Sequence, residues 1–172
     1  MTLKVGDRAP DFTLSAGSGA GSSHDAPSRS MPAACGQFTL SEALAKGPVV
    51  LFFYPKDDTP GCTAEACTFR DRYDDFTVAG AQVVGVSSDS LASHDSFAQK
   101  HRLPMTLLSD ADGRVRKLYD VRPTLGLFPG RATFVIDPGG VVRHVFVSQL
   151  RVGTHVEQAL ATVKELTAKA SP

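Results

Sequence analysis

The run PVVLFFY, residues 48–54, constrains the fold more than any other stretch. It carries no charge and is mostly β-branched or aromatic. That is the character and length of a strand covered on both faces. Directly after it, CTAEACTFRDRYDDF (residues 62–76) is Ala-rich, mixes acids with bases and lacks internal Pro or Gly, so it reads as helix. AQVVGVSS (81–88) reads as a second buried strand, SHDSFAQKH (93–101) as a helix and PMTLLSD (104–110) as a short strand. GRVRKLYD (113–120) suggests a short helix. RATFVID and VVRHVFV are strand-like and separated by PGG, a turn signal, which predicts a hairpin. In the last segment Thr154 and Glu157 fit a capping box. Val156, Ala159, Leu160 and Val163 then fall on one helical face.

Early alternation of strand and helix implies parallel strands joined by crossover helices, and the late hairpin adds antiparallel ones. The expected architecture is α/β, a mixed central sheet flanked by helices, as in a thioredoxin-like fold. Near the N-terminus DFTL and QFTL supply an extra β-hairpin. The 172 residues suit one domain with a full core, spanning residues 1–172. The exception is a Gly-, Ser-, Ala- and Pro-rich stretch over residues 15–36, which has no apolar period and reads as a flexible insertion.

Charge narrows the partners. Lys+Arg and Asp+Glu both count 18, so bulk charge does not favour nucleic acid or an anionic membrane surface. No apolar run is long enough to span a bilayer, and the N-terminus lacks the apolar centre of a secretory signal, which leads us to expect a cytoplasmic protein. Three cysteines cannot all pair within one chain. In a reducing compartment any disulfide is expected to be transient and catalytic.

Two of those cysteines, Cys62 and Cys67, sit five apart in the helical stretch. Pro60 marks a helix start, because it lacks the amide hydrogen that would go unpaired there. Cys62 therefore falls in the first turn, just after a buried strand, at the sheet edge where α/β proteins place their sites. Free N–H groups and the helix dipole favour negative charge at that place, hence the reactive thiolate. Thr59, a hydroxyl donor, and Pro55, which can exclude water, lie close in sequence. On an ideal helix, Cα atoms five residues apart are separated by roughly 8–9 Å and point some 140° apart. A disulfide needs them within about 7 Å. If both cysteines are redox partners, the first turns must unwind. Alternatively, Cys67 is a small buried hydrophobe. A zinc site fits poorly: Cys35 lies in the insertion, and His24, His94, His101, His144 and His155 show no ligand spacing and read as surface or structural residues.

FFYPKDDTPGCTAEACTFRD resembles the active-site motif of the peroxiredoxins, P-x-x-x-T-x-x-C. With a second cysteine five residues on, it is similar to the peroxiredoxin Q group, also called bacterioferritin comigratory proteins. VGDRAPDFTL and GRATFVIDPGGVVRHVF resemble the family in the expected order. The resemblance implies a thiol peroxidase for hydrogen peroxide and organic hydroperoxides, with no metal, haem or flavin. Cys62 would be the peroxidatic cysteine, oxidised to a sulfenic acid. Cys67 would be the resolving cysteine, closing a disulfide within the chain. Thr59 would hydrogen-bond the thiolate and peroxide, Pro55 would shield the sulfenic acid, and Arg131 matches the family's active-site arginine. By residue type alone Arg131 would be a solvated surface residue. Glu65 either orients an arginine or is an exposed first-turn acid favoured by the dipole. The implied reductant is thioredoxin or a similar dithiol protein, and the implied assembly is a monomer.

The insertion is longer than the family leads us to expect, and Cys35 has no counterpart in the motif. It is expected to be a bystander, with competition for the sulfenic acid or pairing between chains as alternatives. Two other functions stay open on sequence. A thioredoxin-type disulfide oxidoreductase would favour C-x-x-C at the helix start, which is absent. A peroxide sensor would share the first oxidation and then pass it to a partner.

Overall fold

The computed structural model describes residues 3–17, 36–123, 126–127 and 129–170. Seven strands and six helices follow one another as β1 (Thr13–Ala16), β2 (Gly36–Thr39), α1 (Leu40–Leu44), β3 (Val49–Phe53), α2 (Pro60–Asp71), α3 (Tyr73–Val78), β4 (Gln82–Ser87), α4 (Leu91–His101), β5 (Thr106–Ser109), α5 (Arg114–Leu118), β6 (Ala132–Ile136), β7 (Val142–Val147) and α6 (Val152–Ala170). The strands form one sheet in the order β2-β1-β5-β4-β3-β6-β7. β3, β4 and β5 are parallel; β6 runs antiparallel to β3 and β7 to β6. This is the expected mixed α/β, thioredoxin-like sheet with helices on both faces.

β3 explains the layering. All five of its residues are buried. Successive strand side chains face opposite ways. Val50 and Phe52, with Tyr54 just beyond, join Phe69 of α2, Phe76 of α3, Phe97 of α4 and Val156, Leu160 and Val163 of α6 on one face. Val49, Leu51 and Phe53 join Leu40 and Leu44 of α1, Val115 of α5, Phe134 and Val142 on the other. Phe52 stacks on Phe69 at 4.5 Å between ring centroids, seating α2 on the strand that precedes it. Gly85 of β4 leaves room for that arrangement, since a Cβ there would meet Phe52 Cζ at 2.7 Å.

Three local expectations are corrected. The helix expected over residues 62–76 is two helices, α2 and α3, with a break at Arg72. Local propensity gives no reason to stop there; Arg72 leaves helical geometry (φ −107°, ψ 7°), and α3 packs against β4 and α6. The final helix starts at Val152, so Thr154 lies inside its first turn instead of capping it. Ser148 closes this turn: its hydroxyl accepts from Arg151 N (3.2 Å) and its carbonyl from His155 Nε2 (2.8 Å). The insertion is shorter than expected, because Ser15 pairs with Gln37 and Ala16 with Gly36 in the antiparallel β1–β2 hairpin. Its remaining residues, 18–35, lie outside the described residues, Cys35 and His24 among them. Among the described residues no helix is long and apolar enough to cross a membrane.

Candidate active site

Cys62 lies in the first turn of α2, behind Thr59 at the N-cap and Pro60 at the helix start, and is 2% exposed. β6 runs antiparallel beside β3, with Phe53 opposite Ala132. The residue before β6 is Arg131, so this pairing carries its side chain to the turn between β3 and α2. Arg131 Nη2 donates to Cys62 Sγ at 3.2 Å. The thiol is buried, yet it sits against a guanidinium and not in hydrocarbon alone.

Glu65 decides between its two expected roles. One turn after Cys62 and 0% exposed, it accepts from Arg131 Nη1. Burial pushes its carboxyl up to about 7, against the opposing pull of Arg131. Burial works against the charge on Arg131, itself 3% exposed, but Glu65 and Cys62 outweigh it and hold the guanidinium above its ordinary value. The arginine is thus shared between the Glu65 carboxyl and the Cys62 sulfur, with a charged donor turned to each. Behind Glu65, His155 Nδ1 stands 3.8 Å from Oε1. His155 donates from Nε2 to the Ser148 carbonyl, so Nδ1 accepts from the Thr133 hydroxyl at 2.7 Å. The ring is neutral, and burial lowers its pKa to about 4.

Pro55 and Thr59 flank the turn, both half-buried. The Thr59 hydroxyl donates to the Lys56 carbonyl at 2.9 Å, which differs from the expected donation to the thiolate. Its hydrogen is committed there, so its lone pairs remain to accept a hydrogen from a bound molecule. Cys67, half-exposed, lies in the same unbroken helix as Cys62, and both thiols are free.

Sequence reasoning missed what holds the loop before Cys62. Asp57 is buried and accepts from Tyr54 Oη (2.6 Å) and Ser93 Oγ (2.8 Å). His94 lies between Asp57 Oδ2 (2.8 Å from Nδ1) and the Leu108 carbonyl (3.1 Å from Nε2). Both of its ring nitrogens face oxygen atoms, so the ring ties the Asp57 carboxyl to the Leu108 carbonyl. Arg116 was also missed. In sequence it is one more base of a short helix, but its guanidinium bonds the Tyr54 and Gly130 carbonyls. No local pattern marks either feature, since every partner except Tyr54, three residues before Asp57, is distant along the chain. Among the described residues no group of three or more His, Cys, Asp or Glu side chains is placed to hold a metal.

A thiol at a helix start, an arginine donating to it and a second thiol on the same helix define a class of redox-active thioredoxin-like protein. The AhpC/TSA family model matches residues 5–145. Peroxiredoxin Q, chloroplastic, of Triticum aestivum is 48% identical over 130 residues, covering 74% of this chain and 60% of that protein. The chain thus spans about six tenths of that relative's length. The solved structure of peroxidoxin BcpB from Mycobacterium tuberculosis matches 95% of this chain and 98% of its own, with 38% identity and a TM-score of 0.79. Peroxiredoxin Q of Xanthomonas campestris matches 76% of this chain and 85% of its own, with 36% identity and a TM-score of 0.70. The chain belongs to the AhpC/TSA family and, within it, to the peroxiredoxin Q group.

Proposed function

We propose that the protein is a thiol-dependent peroxidase that reduces hydrogen peroxide and organic hydroperoxides, cycling through a disulfide between Cys62 and Cys67. The observation that carries the reading is the Arg131 donation to Cys62 Sγ at 3.2 Å, in the first turn of α2. The Cys62 thiolate attacks the terminal peroxide oxygen. The O–O bond breaks, sulfur is oxidised to sulfenic acid, and the departing alkoxide or hydroxide leaves as alcohol or water after taking a proton. Arg131 and the N–H groups of the α2 N-terminus face the charge that develops. Thr59 accepts the peroxide hydrogen, and Pro55 screens the sulfenic acid.

Cys67 then attacks the sulfenic sulfur, a disulfide forms and water departs. In the intact helix the two Cα atoms stand roughly 8–9 Å apart, beyond the reach of a disulfide, so the turns from Cys62 to Cys67 must unwind first. That movement draws Glu65 away from Arg131. A dithiol protein of the thioredoxin kind reduces the disulfide by exchange and takes up the bridge itself. The reading suits a monomer in a reducing cytoplasm, since one chain supplies both thiols; size-exclusion chromatography of reduced and oxidised protein tests the assembly. A solved Xanthomonas campestris bacterioferritin comigratory protein is described for its alkyl peroxide reduction activity, which supports this substrate class.

The test combines turnover with mapping. Wild-type protein given peroxide, thioredoxin and its reductase should consume peroxide, and mass spectrometry of the oxidised chain should show Cys62 joined to Cys67. Cys62→Ser should consume none. Normal turnover by that variant would refute the assignment. A single oxidation trapped on a partner protein, without turnover, would favour a sensor.

A further inference from the structure

We propose that Arg116 is a positioning residue for the Cys62 reaction, its guanidinium forking between two backbone carbonyls and so setting where Pro55 and Arg131 stand around the sulfur. Nη1 donates to the Gly130 carbonyl at 2.5 Å and Nη2 to the Tyr54 carbonyl at 2.8 Å. These carbonyls belong to the peptides that lead into Arg131 and Pro55. Both peptides lie just beyond Phe53 and Ala132, the last paired residues of β3 and β6, where the ladder ceases to hold them. A planar fork across the gap replaces the missing ladder bonds, a geometry that guanidinium suits and ammonium does not.

Arg116 is itself well anchored. The buried Asp110 carboxylate accepts from Val115 N (3.1 Å) and Arg116 N (2.9 Å), fixing the first turn of α5. The guanidinium carbon lies 5.7 Å from the centroid of the Phe53 ring, which supports the plane of the fork. The Gly130 side is close-packed too, since a Cβ there would overlap the Arg122 carbonyl. Burial lowers the Arg116 pKa while Asp110 and Cys62 oppose that effect, so its charge lies within the field of the sulfur. Arg116 acts through the two peptides it joins and not on the sulfur or the peroxide directly. A small misplacement of Arg131 is enough to matter, because reacting groups displaced by about 1 Å can lose on the order of a hundredfold in rate.

The inference rests on the peroxidase reading, and the experiment separates the two. Single-turnover rates with hydrogen peroxide and with iodoacetamide would be measured for wild type, Arg116→Lys and Arg116→Met. Alkylation needs only the thiolate, whereas peroxide cleavage also needs placed donors. Arg116→Lys keeps the charge but loses the fork. It should slow the peroxide reaction at least about tenfold and leave alkylation within about twofold. Arg116→Met should slow both; if it does not fold, Arg116→Lys carries the test alone. Peroxide rates equal to wild type in Arg116→Lys would overturn the inference. So would equal losses toward both reagents, which would mean that the fork does not place donors. A wild type that consumes no peroxide would sink the functional reading itself, and this inference with it.

Discussion

Gly61 stands where any side chain would press on Arg131: a Cβ built there would lie 3.2 Å from Nη2, the nitrogen that donates to Cys62 Sγ. The absence of a side chain just before the thiol is what lets the guanidinium reach it. Gly61→Ala should therefore separate stability from activity. Alanine in a helix is favoured over glycine by roughly 0.5–1 kcal/mol, so the melting temperature should hold or rise. Arg131 would have to give way by a few tenths of an ångström, and the rate with peroxide should fall severalfold. A variant that is both stable and fully active would show that the close approach does not matter.

Glu65 gives the protein a pH dependence of known sign. Its folded pKa of about 7 lies above the ordinary 4.5, so its contribution to stability is fully present below 4.5 and is lost as pH rises through about 7. The whole loss is on the order of 3 kcal/mol. His155 works the other way. Its pKa is lowered from 6.5 to about 4, so its contribution is present above 6.5 and lost as pH falls toward 4. The two partly cancel in the wild type over their shared range. Thermal melts of wild type and Glu65→Gln across that range isolate the first effect. The stability of wild type relative to the variant should decline from about pH 4.5 to about pH 7. A flat or rising difference contradicts the assignment.

The second thiol has its own signature. Cys67→Ala should react with peroxide once, at close to the wild-type rate, because Cys67 lies well along the helix from the sulfur that reacts. It should then fail to cycle with thioredoxin and should accumulate sulfinic acid at Cys62, read by intact-mass spectrometry. Cycling at the wild-type rate would remove Cys67 from the mechanism.

The pair of adjacent aspartates before Thr59 divides by burial. Asp57 is closed in with His94, their side chains 3% and 1% exposed. Asp57→Asn removes the buried carboxyl on which Tyr54, Ser93 and His94 converge and should cost about 1–3 kcal/mol, seen in chemical denaturation. Asp58 pairs with Lys100 in solvent, their side chains 44% and 63% exposed, and takes a left-handed φ of 56° that asparagine also accepts. Asp58→Asn should leave the denaturation midpoint nearly unmoved. Equal effects of the two changes would mean that the Asp57–His94 contact does not hold the loop.

The chain's own order of residues determined the layered α/β plan, the two-sided strand β3, the hairpin of β6 and β7, and the position of Cys62 in a first helical turn. These follow from local signals: an uninterrupted apolar run, a Pro-Gly lead-in and a PGG turn. Residue type left Arg131 and Glu65 open, and only the motif resemblance singled out the arginine. The tertiary structure decided what touches what. Arg131 meets a sulfur 69 positions away because β6 lies antiparallel beside β3, and no local pattern encodes that neighbour. The same holds for the burial of Glu65, the turn of the chain at Arg72, the commitment of the Thr59 hydroxyl to Lys56 and the fork of Arg116. Each depends on a partner brought in by packing or by the exact path of a loop, whereas periodicity and propensity report only on a residue's immediate neighbours.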